Sequence, residues 1–422
     1  MKIAVLGGGL TGMTASYFLA GKGHHVTLME KNSELGGLAI GFKNPDWNWH
    51  LERAYHHLFA NDHDILSFAN EIGFDKIFFQ NPTTASLYET ANNKFQILPL
   101  DTPGDLLAFP YLNIADKMRA GAVMAFLKLS PFLPLFEKNT AEAFLKKTMG
   151  RRAWISLWEE LFRKKFGEYA GIILASFIWA RIKKRTKNLG YIEGGFQTFI
   201  DYLTNKLTGL RVNVLTGIEI KDIKKRGSKY LINNWEYDAV ISTLPTPVMT
   251  KITSKIFTAE FLQKYRKLKY LHAMTLILET KEPLLENTYW LNVSTPKIPV
   301  MGIVQHTNFI DKNNYGGNHL CYLGWYLKRE DKLMNMEKDR LIKYLIPYLK
   351  ILNSKFSILN SYLFRAPFAQ PIFDRDFVEN RPGFVTPQKN FFIANLDMTY
   401  PYDRGTNYAV KLGKNVSELI KI

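Results

Sequence analysis

The chain has 422 residues, 46% of them hydrophobic, which is enough to fill a large folded core and excludes a disordered chain. The formal net charge of +17 at pH 7 favours anionic partners. A single cysteine, Cys321, excludes an internal disulfide and favours a cytoplasmic location. The first predicted strand begins almost at Met1, so we expect no signal peptide.

The first forty residues predict a strand, a glycine turn, a helix and a second strand. Gly7, Gly9 and Gly12 follow the first apolar run in the spacing G-x-G-x-x-G. Gly7 would allow a tight turn, Gly9 the close approach of a pyrophosphate, and Gly12 close packing of the helix on the strand. The N–H groups of Leu10 and Thr11 would point at the phosphates from the start of the helix. The pattern therefore predicts a dinucleotide site.

Glu30 closes the second predicted strand, where a carboxylate can accept both ribose hydroxyls and would repel the 2′-phosphate of NADP. Lys31 follows, and a second glycine turn, Gly36–Gly37 with Leu38 after it, comes soon afterwards. This arrangement resembles the FAD-binding N-terminus of the flavoprotein superfamily that includes amine oxidases, protoporphyrinogen oxidase, phytoene desaturases and UDP-galactopyranose mutase. The resemblance implies that Glu30 holds the adenosine ribose and that the glycine pair passes near the pyrophosphate.

Tyr55, His56 and His57 stand in a stretch that is rich in aromatic residues and histidines. Metal binding is one interpretation, but the stretch lacks a recognisable zinc-ligand spacing, so no metal site is predicted. The superfamily resemblance implies that this segment runs along the flavin ring. It makes His56 and His57 candidate catalytic residues and Tyr55 a candidate substrate contact. A packed, hydrogen-bonded histidine pair without a chemical role is an equally economical interpretation.

About half of the excess positive charge lies between residues 146 and 187, where twelve lysines and arginines stand against three glutamates. The aromatic residues there have core spacing, so nucleic acid is not the expected partner. A solvated face, an anionic membrane surface and a diphosphate-bearing substrate all remain open. The preceding apolar run, residues 120–136, contains Lys128 and two prolines, so it predicts a surface that dips into lipid rather than a transmembrane span.

Trp154, Trp158 and Phe162 belong to an apolar series at three- and four-residue spacing, which predicts one face of a helix. The run from residue 154 to 196 carries the motifs Lys-Phe-Gly-Glu-Tyr and Tyr-Ile-Glu-Gly-Gly-Phe. It resembles a bacterial branch of the superfamily, the protoporphyrinogen-oxidase-like FAD-dependent oxidoreductases. This resemblance implies a redox enzyme and specifies no substrate.

Residues 249–375 predict a mostly antiparallel sheet with helical cover, because strand-like runs alternate with one long helical pattern. One of these strands ends in the polar run Gln305, His306, Thr307 and Asn308. If the run faces a substrate cavity, Gln305 is a candidate catalytic residue, and His306 and Asn308 are candidate substrate contacts. A polar strand end at the protein surface is equally economical.

The C-terminal stretch repeats the strand-then-helix pattern, with Asp397 after the strand and Gly405 opening the last helix. The superfamily resemblance implies that Asp397 contacts the ribityl and pyrophosphate region of FAD. It also implies that backbone N–H groups from Gly405 through Thr406 to Asn407 meet the flavin pyrimidine, where they would stabilise negative charge. The backbone around Ile218 is expected near the adenine. Tyr400, just before the last helix, is a further candidate substrate contact.

The fold class predicted is α/β (α+β), with a Rossmann-type FAD-binding domain that is discontinuous in sequence. Residues 1–55, 190–248 and 376–422 are assigned to it. Residues 56–189 are predicted to form a helical, basic cap, and residues 249–375 the substrate-binding sheet domain.

The leading functional hypothesis is a redox enzyme in which non-covalent FAD accepts a hydride from an apolar, isoprenoid or lipid-like substrate. Non-covalent binding is expected because Cys321 lies in a predicted strand of the sheet domain. A polyamine substrate is disfavoured, because Thr406 replaces the aromatic residue that amine oxidases place after the helix glycine. Two alternatives remain: an isomerase like the UDP-sugar mutases, and a non-catalytic prenyl-lipid carrier like the Rab GDP-dissociation inhibitors.

Overall fold

A computed structural model describes residues 1–421 of the chain. The strands are β1 Lys2–Leu6, β2 His25–Met29, β3 Gly41–Phe42, β4 Leu51–Glu52, β5 Leu58–Phe59, β6 Ile77–Gln80, β7 Thr84–Glu89, β8 Phe95–Pro99, β9 Leu189–Ile192, β10 Asn213–Leu215, β11 Ile223–Arg226, β12 Lys229–Ile232, β13 Trp235–Tyr237, β14 Ala239–Ser242, β15 Tyr270–Thr280, β16 Trp290–Val293, β17 Gly302–Gln305, β18 His319–Leu327, β19 Ile358–Pro371 and β20 Phe391–Ile393.

The α-helices are α1 Leu10–Gly21, α2 His63–Ile72, α3 Pro103–Ala108, α4 Ile114–Leu129, α5 Leu133–Glu137, α6 Ala141–Thr148, α7 Arg151–Trp154, α8 Glu160–Phe166, α9 Ala175–Lys184, α10 Phe196–Gly209, α11 Thr246–Ile252, α12 Ala259–Gln263, α13 Lys338–Leu352, α14 Arg375–Asn380 and α15 Thr406–Glu418. A π-helical turn joins α7 to α8, and short 3-10 turns occur in several loops.

Three separate stretches of the chain build one parallel sheet in the order β10-β2-β1-β14-β20. Every neighbouring pair in this sheet is parallel. The interior of β1 and the whole of β14 are buried, as expected for strands that are covered on both faces. The strands come from all three sequence segments that were assigned to the FAD-binding domain. A small antiparallel meander, β11-β12-β13, follows in sequence, with Gly227 in the left-handed conformation at its first turn.

The second large sheet has seven strands in the order β19-β15-β18-β17-β16-β7-β8. All its pairings are antiparallel except that between β16 and β7. The strands and the long helix predicted between residues 249 and 375 are confirmed, with ends that shift by a few residues. Strands β7 and β8 come from the range predicted to be a helical cap, so that boundary is wrong for residues 84–99. Ala85 and Leu87 of β7 and Phe95 of β8 pack into the apolar core of this sheet, although they lie far from its other strands in the sequence.

Helices α3 to α9 form the helical lobe. The predicted apolar face is buried, since Trp154, Phe162 and Phe166 pack in one core with Phe177. Trp179 of α9 stacks on Phe136 of α5, which ties the two halves of the lobe together. None of the helices within residues 1–421 combines the length and apolar composition that crossing a bilayer requires.

Helices α1 and α15 pack directly on each other although they lie at opposite ends of the sequence. Gly413 is the point of closest approach. A Cβ atom on Gly413 would lie 2.5 Å from the carbonyl oxygen of Thr11 and 3.0 Å from the backbone nitrogen of Ala15. Because both neighbours are backbone atoms of a packed helix, the helices would have to move apart to admit a methyl group.

Replacing Gly413 with alanine should therefore lower the free energy of unfolding by about 1–3 kcal/mol, through overpacking between the two helices. Gly21→Ala is the matched control, because a Cβ there meets nothing within 4 Å. That control should leave stability unchanged or raise it by about 0.5–1 kcal/mol, since alanine is the better helix former. Urea unfolding followed by circular dichroism measures both; an equal effect of the two substitutions would contradict the close contact.

Candidate functional site

The two N-terminal glycine turns form one unit in the structure. The N–H of Gly36 donates to the carbonyl of Gly8 at 2.8 Å, and a Cβ on Gly37 would lie 2.9 Å from the Cα of Gly9. A Cβ on Gly9 would meet only Gly37, at 3.8 Å. The backbone at Gly9 therefore offers a surface without side chains, which suits the close approach of a diphosphate.

Helix α1 starts immediately behind this turn because Gly7 and Gly12 let it do so. Gly7 has φ of +106°, and a Cβ on Gly12 would lie 2.0 Å from the carbonyl oxygen of Gly7. The N-cap is Gly9, which offers no side-chain acceptor. The N–H groups of Leu10, Thr11 and Gly12 consequently have no intrahelical acceptor and are suited to an anionic ligand.

Glu30 organises the backbone around the same turn. Its Oε2 accepts from the N–H of Gly8 at 2.8 Å, and its Oε1 accepts from the N–H of Asn32 at 2.8 Å. The N–H of Ile218 donates to the carbonyl oxygen of Glu30 at 2.9 Å, so the predicted adenine neighbour does lie beside the predicted ribose acceptor. Lys31 is exposed, as is the apolar side chain of Leu38 after the glycine pair.

At the other end of the chain, α15 begins at Thr406 behind the N-cap Gly405, which carries no capping side chain. The side chain of Asn407 is occupied elsewhere: its Oδ1 accepts from the N–H of Ile65, and its Nδ2 donates to Asp64. Asn407 thus anchors the start of α2. The backbone N–H groups of residues 405–407 stay suited to a ligand, in the manner predicted.

Asp397 is buried between β20 and α15. Its Oδ2 accepts from the hydroxyls of Thr246 at 2.5 Å and Tyr270 at 2.6 Å. Its Oδ1 is buried and has no partner among residues 1–421. Burial raises the pKa of Asp397 to about 6, although both hydroxyls act in the opposite direction. A buried acceptor without a donor fits a hydroxyl group of a bound cofactor such as the ribityl chain of FAD.

The segment from Tyr55 to His57 is half-buried and lies among aromatic rings of the seven-stranded sheet. The ring of Tyr55 meets Trp290 edge-on with centroids 4.8 Å apart. Burial lowers the pKa of His56 to about 4 and that of His57 to about 3, so both are neutral at pH 7. Within residues 1–421 no group of three or more His, Cys, Asp or Glu side chains could hold a metal ion.

The two histidines differ in their hydrogen bonds. Nδ1 of His56 lies 2.7 Å from the carbonyl oxygen of Ala54. Because a carbonyl oxygen only accepts, this nitrogen carries the proton and Nε2 is left as a proton acceptor. Nδ1 of His57 is buried and has no partner in the described part of the chain. The hydrogen bond therefore defines the tautomer of His56, whereas Nδ1 of His57 is left without a hydrogen-bond partner.

Glu52 anchors this segment, and sequence reasoning missed it. Its carboxylate is fully buried and accepts from the hydroxyl of Tyr191 and the N–H of Phe196, both at 2.8 Å. Burial raises the pKa of Glu52 to about 7, although both hydrogen bonds act to lower it. The hydroxyl of Tyr322 donates to its backbone carbonyl. The only sequence signal was a charged residue beside an apolar strand, which is too common to be informative.

Gln305, His306 and Asn308 do not face a substrate cavity, which corrects that prediction. Gln305 is fully buried; its Oε1 accepts from the N–H groups of Leu284 and Leu285, and its Nε2 donates to Thr307 and to the carbonyl of Leu320. Nε2 of His306 lies 2.8 Å from the Tyr315 hydroxyl. Asn308 donates to two backbone carbonyls. Gln305 and Asn308 satisfy backbone groups and His306 pairs with a buried hydroxyl, so all three side chains have a structural role.

Tyr400 is also corrected as a substrate contact. Its hydroxyl lies 2.9 Å from Glu137 and 2.8 Å from Ser176, both in the helical lobe. Its ring is buried against Phe373 and Phe377. The residue joins the C-terminal segment to the lobe, and no polar atom of its side chain remains for a ligand.

Sequence reasoning also missed a group of charged side chains beside Tyr55. Lys165 donates to Asp403 at 2.7 Å, and Arg404 donates to the Tyr326 hydroxyl and to the carbonyl of Ala369. Asp403 and Arg404 directly precede the glycine that opens α15. That position was the available signal, because it places both charges at the start of a predicted cofactor helix.

Local sequence similarity to characterised proteins is limited to short stretches. An L-amino-acid oxidase of Naja atra is 26% identical over 108 residues, which are 26% of this chain and 21% of the oxidase. A 4,4'-diapophytoene desaturase of Staphylococcus haemolyticus is 45% identical over 51 residues, 12% of this chain and 10% of the desaturase. The matches thus span about a fifth or less of the length of these relatives.

Solved structures share the fold over the whole chain at low identity. An oxidoreductase from Methanosarcina mazei has a TM-score of 0.78 and 18% identity, covering 99% of this chain and 100% of its own. Reduced UDP-galactopyranose mutase has a TM-score of 0.77 and 15% identity, covering 99% and 93%. A candidate protoporphyrinogen oxidase from Exiguobacterium sp. 255-15 has a TM-score of 0.75 and 16% identity, covering 99% and 98%.

The family model described as flavin containing amine oxidoreductase matches residues 10–420, nearly the whole chain. The matched range includes the start of α1, Glu30, the glycine pair and the start of α15, which are the elements that the geometry assigns to a cofactor. The chain belongs to the flavin-containing amine oxidoreductase family.

Proposed function

We propose that the protein binds FAD non-covalently and oxidises an apolar or lipid-like substrate with it. Bound FAD would supply the acceptor for a hydride, that is, for two electrons and one proton. The observation that carries the proposal is that helices α1 and α15, neither of which has a capping side chain, pack beside one parallel sheet. Glu30 and the unpartnered Oδ1 of Asp397 lie at the same sheet. The helix starts suit the phosphates and the pyrimidine, and the two carboxylates suit sugar and ribityl hydroxyls.

Non-covalent binding is supported by the position of Cys321. Its thiol is fully buried in β18, within the apolar core of the seven-stranded sheet. Burial raises the pKa of this thiol, which suppresses the reactive thiolate. The cysteine therefore has neither the access nor the ionisation state needed for attachment to a flavin.

The cofactor proposal predicts that acid precipitation releases all the flavin as FAD, and that Glu30→Ala weakens rebinding to the apoprotein. The substitution removes the carboxylate that orders the N–H groups of Gly8 and Asn32 and would accept the ribose hydroxyls. We expect a loss of about 1–3 kcal/mol, roughly ten- to a hundredfold in FAD affinity. Flavin fluorescence titration measures the affinity.

Glu219→Ala is the matched control, because this exposed glutamate lies next to Ile218 and its carboxylate makes no hydrogen bond or ion pair within residues 1–421. It should leave FAD affinity unchanged. Flavin that stays on the precipitated chain would contradict non-covalent binding, and equal affinities of the two variants would contradict the role of Glu30.

Aromatic and uncharged side chains lie beside Tyr55, in addition to the charged group formed by Lys165, Asp403 and Arg404. Tyr55 packs between the rings of Trp290 and Tyr322, and the two neutral histidines add no charge. The unprotonated Nε2 of His56 can accept a hydrogen bond from a substrate group. Because its pKa is lowered to about 4, His56 is neutral at pH 7 and suits the role of a hydrogen-bond acceptor better than that of a general base.

An oxidoreductase, an isomerase and a lipid carrier respond differently to reduction. The holoprotein, reduced anaerobically with dithionite, is mixed with oxygen and separately with a water-soluble quinone, and the flavin absorbance is followed. We expect rapid reoxidation by at least one of them, because a redox cycle requires an acceptor. If neither oxygen nor the quinone reoxidises the flavin, and the reduced protein interconverts UDP-galactopyranose and UDP-galactofuranose, the isomerase is favoured. Purified protein without any flavin would favour the carrier.

We also propose that the helical lobe docks on an anionic membrane. One side of α4 and the loop that follows it exposes a row of apolar side chains, with Leu129 78% and Phe132 68% accessible. The row continues the periodicity of α4 towards α5, and its members are Ile114, Met118, Phe126, Leu129, Phe132 and Leu135. Arg119 on α4 and Arg152 on α7 are exposed in the same lobe and complement anionic headgroups, although Arg152 also lies 3.6 Å from Asp116.

The basic stretch of α9 contributes less to this surface than the sequence predicted. Lys183 donates to the carbonyl of Ser130, and Lys164 of the preceding helix α8 donates to the carbonyls of Ile298 and Val300. Arg185 pairs with Asp101 at 2.5 Å. These cations are engaged inside the protein, so the apolar row rather than the charge of α9 should dominate attachment.

The variant Leu129→Glu/Phe132→Glu should therefore release the protein from liposomes that contain anionic lipid. Two carboxylates in the row remove apolar burial and add repulsion from the headgroups. Co-sedimentation measures the bound fraction, which should also fall as salt rises. The control Leu359→Glu/Val385→Glu changes two side chains that are 55% and 71% exposed elsewhere. If both double variants bind like the unmodified protein, or if neutral liposomes bind equally well, the docking proposal is wrong.

A further inference from the structure

Helix α10 has no capping residue of its own. Its N-cap is Gly195, which offers no side-chain acceptor, so the first N–H groups of the helix need an acceptor from elsewhere. The carboxylate of Glu52, 144 positions away in the sequence, supplies one, because its Oε1 accepts from the N–H of Phe196 at 2.8 Å. Glu52 thus takes the place of a capping side chain, and its negative charge suits the start of a helix.

The glycine before α10 makes room for this carboxylate. Gly195 has φ of +86°, and a Cβ there would lie 2.4 Å from the carbonyl oxygen of His50 and 3.2 Å from Oε1 of Glu52. Oε2 of Glu52 accepts from the hydroxyl of Tyr191 at 2.8 Å. Glu52 is fully buried, and the donors to its carboxylate are this hydroxyl and a backbone N–H rather than a cation.

One face of α10 holds the second glycine turn at both ends. Gln197 and Ile200 are three residues apart, so they lie on the same side of the helix. Oε1 of Gln197 accepts from the N–H of Gly41 at 3.0 Å, just after the turn. At the start of the turn, a Cβ on Gly36 would lie 2.7 Å from Cδ1 of Ile200. A shift of α10 would therefore move the turn that packs against Gly9.

The first residue of α10 also contacts the segment Tyr55–His57, which the family resemblance places along the flavin. The ring of Phe196 lies against that of His56, with centroids 5.6 Å apart. The N–H of the same residue is the group that Glu52 binds. The cap of α10 and the surroundings of the His56 ring thus depend on one residue.

We propose that Glu52 is a positioning residue of the flavin site, which caps α10 and thereby holds the second glycine turn and the ring of His56 in place together. Glu52 acts through Phe196, Gln197 and Ile200, not on the cofactor itself. The inference rests on the proposed function, since it assumes that FAD lies along both elements.

The pair Glu52→Leu and Glu52→Gln tests the cap, because both replacements are close to glutamate in size and only glutamine keeps an oxygen acceptor. We expect Glu52→Leu to weaken FAD binding to the apoprotein about tenfold, since it leaves the N–H of Phe196 buried without an acceptor. Glu52→Gln should bind FAD within about twofold of the unmodified protein. Flavin fluorescence titration measures the affinity.

Asp374→Leu is the matched control, because Asp374 is another buried carboxylate that caps a helix. Its Oδ1 accepts from the N–H of Phe377 in α14 at 2.8 Å. This variant should lower the thermal midpoint, as loss of a cap does, and leave FAD affinity unchanged. A lower midpoint without weaker FAD binding separates a structural cap from a positioning one.

A second measurement follows the His56 ring in the apoprotein by NMR with isotope-labelled histidine, assigned with His56→Gln. The His56 resonances should shift in Glu52→Leu, return in Glu52→Gln and stay in place in Asp374→Leu. Gln197→Ala removes the acceptor for Gly41 and should weaken FAD binding about fivefold with the His56 resonances unchanged. It replaces Glu52→Leu as the test if that variant does not fold.

The proposal is overturned if the tested variant binds FAD as tightly as the unmodified protein, or if Glu52→Leu and Asp374→Leu weaken FAD binding equally. Unshifted His56 resonances in a folded Glu52→Leu overturn it as well. If the unmodified protein binds no flavin, the proposed function fails instead, and the His56 resonances of the apoprotein still show whether Glu52 positions that ring.

Discussion

The direct contact between helices α1 and α15 is the constraint on which the rest of the site depends. These helices start at opposite ends of the sequence, and each presents N–H groups without intrahelical acceptors. The absence of a side chain at Gly413 lets them pack backbone to backbone, which fixes the distance between the two helix starts. A single elongated cofactor can then bridge both. The parallel sheet behind them supplies Glu30 and Asp397 at the ends of its strands.

The helical lobe and the seven-stranded sheet contribute two kinds of side chain near helices α1 and α15. Aromatic rings surround Tyr55, whereas cations from α8, α9 and the loop before α15 surround Asp403. The basic residues that the sequence has in excess therefore fall into two groups. Some, such as Lys183, satisfy backbone carbonyls in the lobe. Other cations, such as Lys165 and Arg181, lie at the carboxylate of Asp403.

Sequence reasoning succeeded where function depends on backbone conformation and on neighbours that are close along the chain. The G-x-G-x-x-G turn, the acid at the end of the second strand and the glycine before the last helix could all be placed, because each requires a residue type that few others can replace. It failed for Gln305, whose amide pairs with backbone groups of a loop about twenty residues away. A polar residue at a strand end looks the same whether it satisfies the backbone or meets a substrate.

The sequence by itself determined the fold class, the flavoprotein family and the positions of the glycine turns and helix starts, since these follow from local periodicity and from glycines that tolerate no Cβ. Only the tertiary structure decided which polar side chains remain for a ligand. Tyr400 and Gln305 use their polar atoms in internal hydrogen bonds, whereas Arg181 and Asp403, 222 positions apart in the numbering, come within 4.0 Å of each other. The physical reason is that the direction and the partners of a side chain depend on long-range packing, which no local pattern encodes.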